Sequence, residues 1–168
     1  MIDIEFHLNG EPVRLRCPAD RRLLDILRED FGLTAAKPGC AIGRCGACMI
    51  WLDDAPANAC LLLALRIHGR SVRTYEAVCR DPASQPVRDA LAEGGGLQCG
   101  YCTPGMVMTL AHLHQLPEPP DAPAARELAS ANLCRCTGYG GIRRAIERLF
   151  EPAEGSAATP IRPCGDPA

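Results

Sequence analysis

The sequence predicts an α+β fold in two parts: a small mixed sheet with one packed helix, then an all-helical half. Three observations predict it. Hydrophobic residues alternate with a period of two near the N-terminus, this strand pattern gives way to helical spacing after about residue 86, and eleven cysteines gather mainly into two clusters, one in each half. With aromatics at only 4 %, a large core is not expected. Domains of about 60 to 80 residues bury too little surface to be comfortably stable alone and often depend on disulfides or metal.

Taking the elements in order, Ile2, Ile4, Phe6 and Leu8 fall on one face of a strand and Asp3, Glu5 and His7 on the other. Asn9-Gly10 supplies the positive φ angles of a hairpin turn, and Val13, Leu15 and Cys17 continue the alternation in a second strand. Asp20 is the expected N-cap of a helix carrying Leu23, Leu24 and Leu27, with Gly32 placed to end it. Residues 49–59 read as two short strands around an Asp-Asp-Ala-Pro turn, 59–65 as a buried apolar run, and 71–76 as another strand. The Pro/Ser-rich stretch 81–86 has the composition of a linker. Helices are expected near 86–93, 104–115, 123–132 and 140–150, the second opened by Thr103 as N-cap and Pro104 at N1. The organisation that follows is residues 1–77, a linker over 78–86, residues 87–150, and a Pro/Ala/Gly-rich irregular tail over 151–168.

A net charge of −2 and a pI near 6.1, with no basic stripe interleaved with aromatics, argue against nucleic acid as a partner. No run of about 18 apolar residues is present, so membrane insertion is not expected. The N-terminus has neither the basic nor the apolar region of a secretion signal, which makes the cytoplasm the default compartment. In that reducing setting an odd number of clustered cysteines points to metal or redox chemistry rather than disulfides.

Cys40-x4-Cys45-x2-Cys48, followed after eleven residues by Cys60, has the spacing of a plant-type [2Fe–2S] site. Two irons each need two thiolates, and a loop wrapping such a core must approach it with backbone. Gly39, Gly43 and Gly46 stand where side chains would obstruct. The competing reading is a four-thiolate zinc site, although zinc ribbons generally use two similar C-x2–4-C pairs.

Cys99-x2-Cys102 is by itself compatible with a redox dithiol or half a zinc site. Cys134-x-Cys136 is more restrictive. In an extended segment, residues i and i+2 put side chains on one face about 6.6 Å apart, so both thiolates can reach one small inorganic core. Nearby helix ends would offset the negative charge, with Arg44 and Arg135 as possible contributors or simply solvated surface.

The stretches 98-QCGYCTPGMVM-108 and 127-ELASANLCRCTGYGGI-142, preceded by the plant-type loop, resemble the small iron–sulfur subunit of the molybdenum hydroxylases, the xanthine dehydrogenase and carbon monoxide dehydrogenase family. The resemblance spans about residues 2–150. It implies an N-terminal β-grasp, ferredoxin-like domain holding a distal [2Fe–2S] cluster on Cys40, Cys45, Cys48 and Cys60. It also implies a four-helix bundle holding a proximal cluster on Cys99, Cys102, Cys134 and Cys136. Gln98 and Cys136 match residues that contact molybdopterin, in its cytosine dinucleotide form, on a large partner subunit. A medium FAD-binding subunit, assembled in a heterotrimer or a dimer of heterotrimers, would receive electrons from the distal cluster. The resemblance therefore implies an oxidoreductase subunit that carries electrons and has no substrate site of its own. Relatives generally have glycine directly after the first cysteine, where this chain has Ala41, and the tail after residue 150 has no counterpart in the core family.

Cys17, Cys79 and Cys164 lie outside both quartets and read as buried or incidental thiols. His7, His68, His112 and His114 read as ordinary side chains, Met106 and Met108 as core, and Trp51 as core or interface. Two other functions compete: a free-standing two-cluster ferredoxin, and a zinc-stabilised scaffold without redox chemistry.

Overall fold

The computed structural model describes residues 1–150; the expected tail, with Cys164, lies outside the described residues. Strands β1 (Ile2–Leu8) and β2 (Glu11–Cys17) form a hairpin with Leu8 opposite Glu11 and Ile2 opposite Cys17. Asn9 and Gly10 turn it at φ of 55° and 93°, the double positive angle of a tight hairpin. Helix α1 (Leu23–Glu29) follows, then β3 (Met49–Leu52), β4 (Ala55–Asn58), α2 (Ala64–Ile67) and β5 (Ser71–Arg73). The sheet order is β2-β1-β5-β3-β4, parallel between β1 and β5 and antiparallel elsewhere. Ile4, Phe6 and Leu8 pack with Leu23, Ile26 and Leu27 of α1 in one core, as a β-grasp arrangement requires.

Several local expectations are corrected. The N-cap of α1 is Arg22, not Asp20, and no side chain caps the helix. Its first N–H groups are satisfied from the far side of the domain instead, Leu23 donating to the Leu62 carbonyl at 2.7 Å and Leu24 to the Ala59 carbonyl at 3.1 Å. The β3–β4 turn is confined to Asp53-Asp54, at φ of 48° and 63°, so Ala55 and Pro56 already belong to β4. The apolar run 59–65 is not uniformly buried. A turn over residues 59–61 and the start of the short helix α2 leave Leu61 58 % and Leu65 49 % exposed while Ala59, Cys60 and Ala64 are covered.

The second half comprises α3 (Tyr75–Val78), a 3-10 turn (Pro82–Ser84), α4 (Gln85–Glu93), α5 (Thr103–His114), α6 (Ala122–Ala129) and α7 (Gly140–Phe150), the last four forming the bundle. The linker-like stretch is folded. Asp81 caps the 3-10 turn by accepting from the Ala83 N–H, and the buried Ser84 hydroxyl donates to the Val78 carbonyl at 2.6 Å. Helix α5 is the hub, with Met106, Val107, Met108 and Leu110 fully enclosed. Each such side chain contributes about 1.5–3 kcal/mol of burial free energy.

Strand β3 joins the halves. All four of its residues are buried; Ile50 and Leu52 face the β-grasp core, whereas Met49 and Trp51 face the helical core. Trp51 donates its indole N–H to the Met108 carbonyl of α5 at 2.9 Å. The Arg73 guanidinium covers the indole at 4.9 Å and His112 meets it edge-on at 6.0 Å. The halves therefore share a packed seam rather than a flexible join.

Candidate metal centres

The first quartet is presented by the loop between α1 and β3 together with the residue pair that follows β4. Cys48 immediately precedes β3 and Cys60 lies two residues beyond β4. The sheet ladder continues between them, with Ala59 donating to the Cys48 carbonyl at 3.2 Å. This places the Cys48 and Cys60 sulfurs against one another, both residues 3 % exposed. Cys40 and Cys45 form a second, more open pair in which the Cys40 N–H points at the Cys45 sulfur at 3.4 Å. The Arg44 N–H donates to the Cys40 sulfur at 3.1 Å. A Cβ on Gly39 would stand 2.7 Å from the Cys45 sulfur, so backbone alone can pass there. Ala41 takes φ of 56°, the left-handed region that disfavours a side chain.

The second quartet joins the α4–α5 connection to the α6–α7 connection. Cys102, not Thr103, occupies the N-cap position of α5. Cys99 and Cys136 sulfurs are 3.4 Å apart at the surface, and Cys102 meets the more buried Cys134. The two thiols of Cys134-x-Cys136 thus reach across to different partners. The Thr137 hydroxyl donates to the Cys134 sulfur at 3.1 Å and accepts from the Tyr139 N–H at 3.2 Å, while the Cys134 N–H donates to the Tyr139 hydroxyl at 2.8 Å. Tyr139 adopts φ of 65° to close this arrangement.

In each quartet electrostatics set one buried thiol apart from one more exposed thiol. Backbone N–H groups of Ile42 and Arg44 lower the Cys40 thiol to about 7, whereas burial pushes Cys48 up to about 12. Burial likewise pushes Cys102 up to about 12. The Tyr101 N–H lowers Cys99, and the adjoining Cys99 sulfur raises Cys136. Burial opposes ionisation of Cys134, but the Thr137 hydroxyl and neighbouring N–H groups bring its thiol below the ordinary value.

Among the described residues, no group of three or more His, Cys, Asp or Glu side chains gathers about a single ion; the eight thiols gather as four pairs. Two pairs per quartet, N–H donors aimed at sulfur, and glycine backbone at the closest approach fit a binuclear iron–sulfide core in each half. Cys17 is buried among the apolar residues of the sheet and Cys79 is half-buried with its thiol donating to the Glu76 carbonyl, neither of them a member of the four thiol pairs. Gln98, Arg44 and Arg135 are exposed. Sequence spacing gave no indication of the roles of Thr137 and Tyr139, because a hydroxyl that donates to sulfur is recognisable only once the loop is folded.

Residues 6–65 match the family described as a 2Fe-2S iron-sulfur cluster binding domain, and residues 74–147 match the [2Fe-2S] binding domain family. The chain is thus built from two iron–sulfur domains in tandem. It is 42 % identical over 152 residues to the nicotinate dehydrogenase small FeS subunit of Eubacterium barkeri, covering 88 % of this chain and 96 % of that one. It is also 38 % identical over 142 residues to the xanthine dehydrogenase iron-sulfur-binding subunit of Escherichia coli O157:H7, covering 82 % and 87 % of the two chains. Among solved structures, quinoline 2-oxidoreductase from Pseudomonas putida 86 superposes with a TM-score of 0.77 at 39 % identity, over 87 % of this chain and 90 % of that one. The chain belongs to the family of small [2Fe–2S] iron–sulfur subunits of the molybdenum hydroxylases, the xanthine dehydrogenase family, and is an oxidoreductase subunit. Among the described residues no helix is long and apolar enough to cross a membrane.

Proposed function

We propose that this subunit conducts electrons from a molybdopterin centre on a large partner chain, through two [2Fe–2S] sites, to FAD on a medium subunit or to another acceptor. Cys40, Cys45, Cys48 and Cys60 hold the distal cluster; Cys99, Cys102, Cys134 and Cys136 hold the proximal one. Each cluster, when bound, takes up and releases a single electron. The protein's part is to keep the sulfurs paired, to aim N–H and hydroxyl donors at them, and to leave one side of each site accessible to a partner.

The observation that carries this reading is the pairing of the eight thiols two by two, including Cys99 with Cys136 at 3.4 Å and Cys48 with Cys60 beneath the surface. At the proximal site Gln98, Cys99 and Cys136 are exposed beside Leu97 and Tyr101. That surface is suited to receive the molybdopterin-bearing subunit, with Gln98 and Cys136 touching the pterin as its cytosine dinucleotide. A heterotrimer, or a dimer of heterotrimers, in the cytoplasm is the assembly proposed.

Anaerobic purification of the chain with its partners tests the reading. About four irons per chain, visible absorption and paramagnetism on one-electron reduction are expected. Zinc in place of iron, or fewer than about three irons per chain, would refute it, and recovery of the chain without large partners would favour a free-standing ferredoxin.

A further inference from the structure

The cysteine-bearing loops of the two halves meet at the surface, where the Tyr101 hydroxyl donates to the Pro38 carbonyl, and again in the interior, where a single buried side chain organises the contact. Leu133, directly before Cys134, donates its N–H to the Cys45 carbonyl at 2.9 Å. Beside this bond lies Asn132, only 1 % exposed. Its amide N–H donates to the Gly46 carbonyl at 3.2 Å, and its amide oxygen accepts from the Thr109 hydroxyl of α5 at 2.7 Å. Asn132 thereby ties together the first-quartet loop, the helix α5 that follows Cys102, and the loop bearing Cys134.

Packing at this point leaves no slack. Gly46 has φ of 65°, and a Cβ on it would press into the Asn132 amide and lie 2.7 Å from the Ala131 carbonyl. A Cβ on Gly105 would run into the Gly46 carbonyl. A buried polar network of this kind rigidifies when every member is satisfied and is costly when one is removed.

We propose that Asn132, held in place by Thr109, is a positioning residue that fixes the gap between the two cysteine quartets and so sets the rate at which an electron crosses from one half to the other. The proposal rests on the assignment of the eight cysteines made above. In the crossing, one site is oxidised by one electron and the other reduced by one; no bond is made or broken and no proton moves. At a given difference in potential its rate depends on separation and on the bonds between, and Asn132 bonds to both sides of that gap.

The test uses the full chain, prepared anaerobically with its partners, and the variants Asn132→Ala, Thr109→Val and Thr109→Ser. Three quantities are read: iron content, the magnetic interaction between the two sites after full reduction with dithionite, and the crossing rate after a light-triggered electron is injected. Thr109→Val is expected to retain its iron, to show an altered magnetic interaction and to cross more slowly than the unaltered chain. Thr109→Ser, which keeps the hydroxyl, is expected to behave as the unaltered chain. Unchanged interaction and crossing rate in iron-replete Thr109→Val would overturn the proposal even if that variant melts earlier, and this decides the matter should Asn132→Ala fail to fold. Failure of the underlying cysteine assignment looks different, because the unaltered chain itself would then lack two magnetically distinct sites.

Discussion

Replacing Trp51 by Phe removes the most connected side chain on the seam while keeping an aromatic ring on β3. Three losses follow. The indole N–H bond to the Met108 carbonyl disappears, worth about 0.5–1.5 kcal/mol net; that carbonyl stays within α5 and retains access to its helical partner. The ring beneath the Arg73 guanidinium, 4.9 Å away, becomes a poorer cation–π partner, at about 0.5 kcal/mol. The smaller ring leaves a void in a wall that is 3 % exposed, for a further loss of about 1 kcal/mol, well short of the 3–5 kcal/mol of a full truncation to Ala. The total is about 2–3 kcal/mol, and for a chain of this length each kcal/mol lowers the melting temperature by about 2–4 °C. A fall of about 5–10 °C is therefore expected. Trp51 is the sole tryptophan, so unfolding should be followed by far-ultraviolet circular dichroism, on iron-loaded chain at fixed protein concentration. A shift below about 2 °C, with both halves melting together as before, would show that β3 does not couple them.

The remaining expectations concern the sites. Ala41→Gly relieves a left-handed residue that costs about 1–2 kcal/mol, against about 0.4–1 kcal/mol of added unfolded-state freedom; a net gain near 0.5–1 kcal/mol in chemical denaturation is expected, and a loss of stability would contradict it. In chain stripped of iron, Cys40, lowered to about 7, should be alkylated near neutral pH well before Cys48 or Cys102, both pushed to about 12, as mass spectrometry can resolve. Because the Cys40 thiol is depressed by folding, its contribution to stability is complete above pH 9 and fades as the pH falls through about 7; a contribution that grew on acidification would have the wrong sign. Cys136→Ser should lose the proximal site's iron, about half of the total, and stop electron delivery to the acceptor; normal flavin reduction in that variant would break the assigned route.

Long-period features were legible in the sequence, and contact-determined ones were not. The β1–β2 hairpin follows from strict alternation plus Asn9-Gly10, and α5 from the Thr103-Pro104 pair that opens it. Asp20 misled because local capping chemistry lost to backbone bonds from Leu62 and Ala59, which lie about 40 residues away. The stretch 81–86 misled for a related reason: Pro and Ser are helix-start residues as well as linker residues, and only the burial of Val78 and Ser84 distinguishes the two. At the sites, cysteine spacing identified two quartets without saying which sulfur would pair with which. Asn132 was invisible because nothing about a lone asparagine two residues before a cysteine announces a side chain that bridges three segments.

The pairing also suggests a division of labour among the sulfurs. Each quartet has one inward pair, Cys48 with Cys60 and Cys102 with Cys134, and one pair nearer the surface, Cys40 with Cys45 and Cys99 with Cys136. Iron binding requires thiolates and releases their protons, and Cys48 and Cys102 hold their protons far above neutral pH because of burial. Cys40 and Cys99, lowered by backbone N–H groups, ionise more readily. Iron should therefore engage Cys40 and Cys99 before Cys48 and Cys102, and its charge then draws the proton from the two buried thiols. The same asymmetry suits conduction: inner sulfurs are fixed by the cores, while outer sulfurs remain where a partner can approach them.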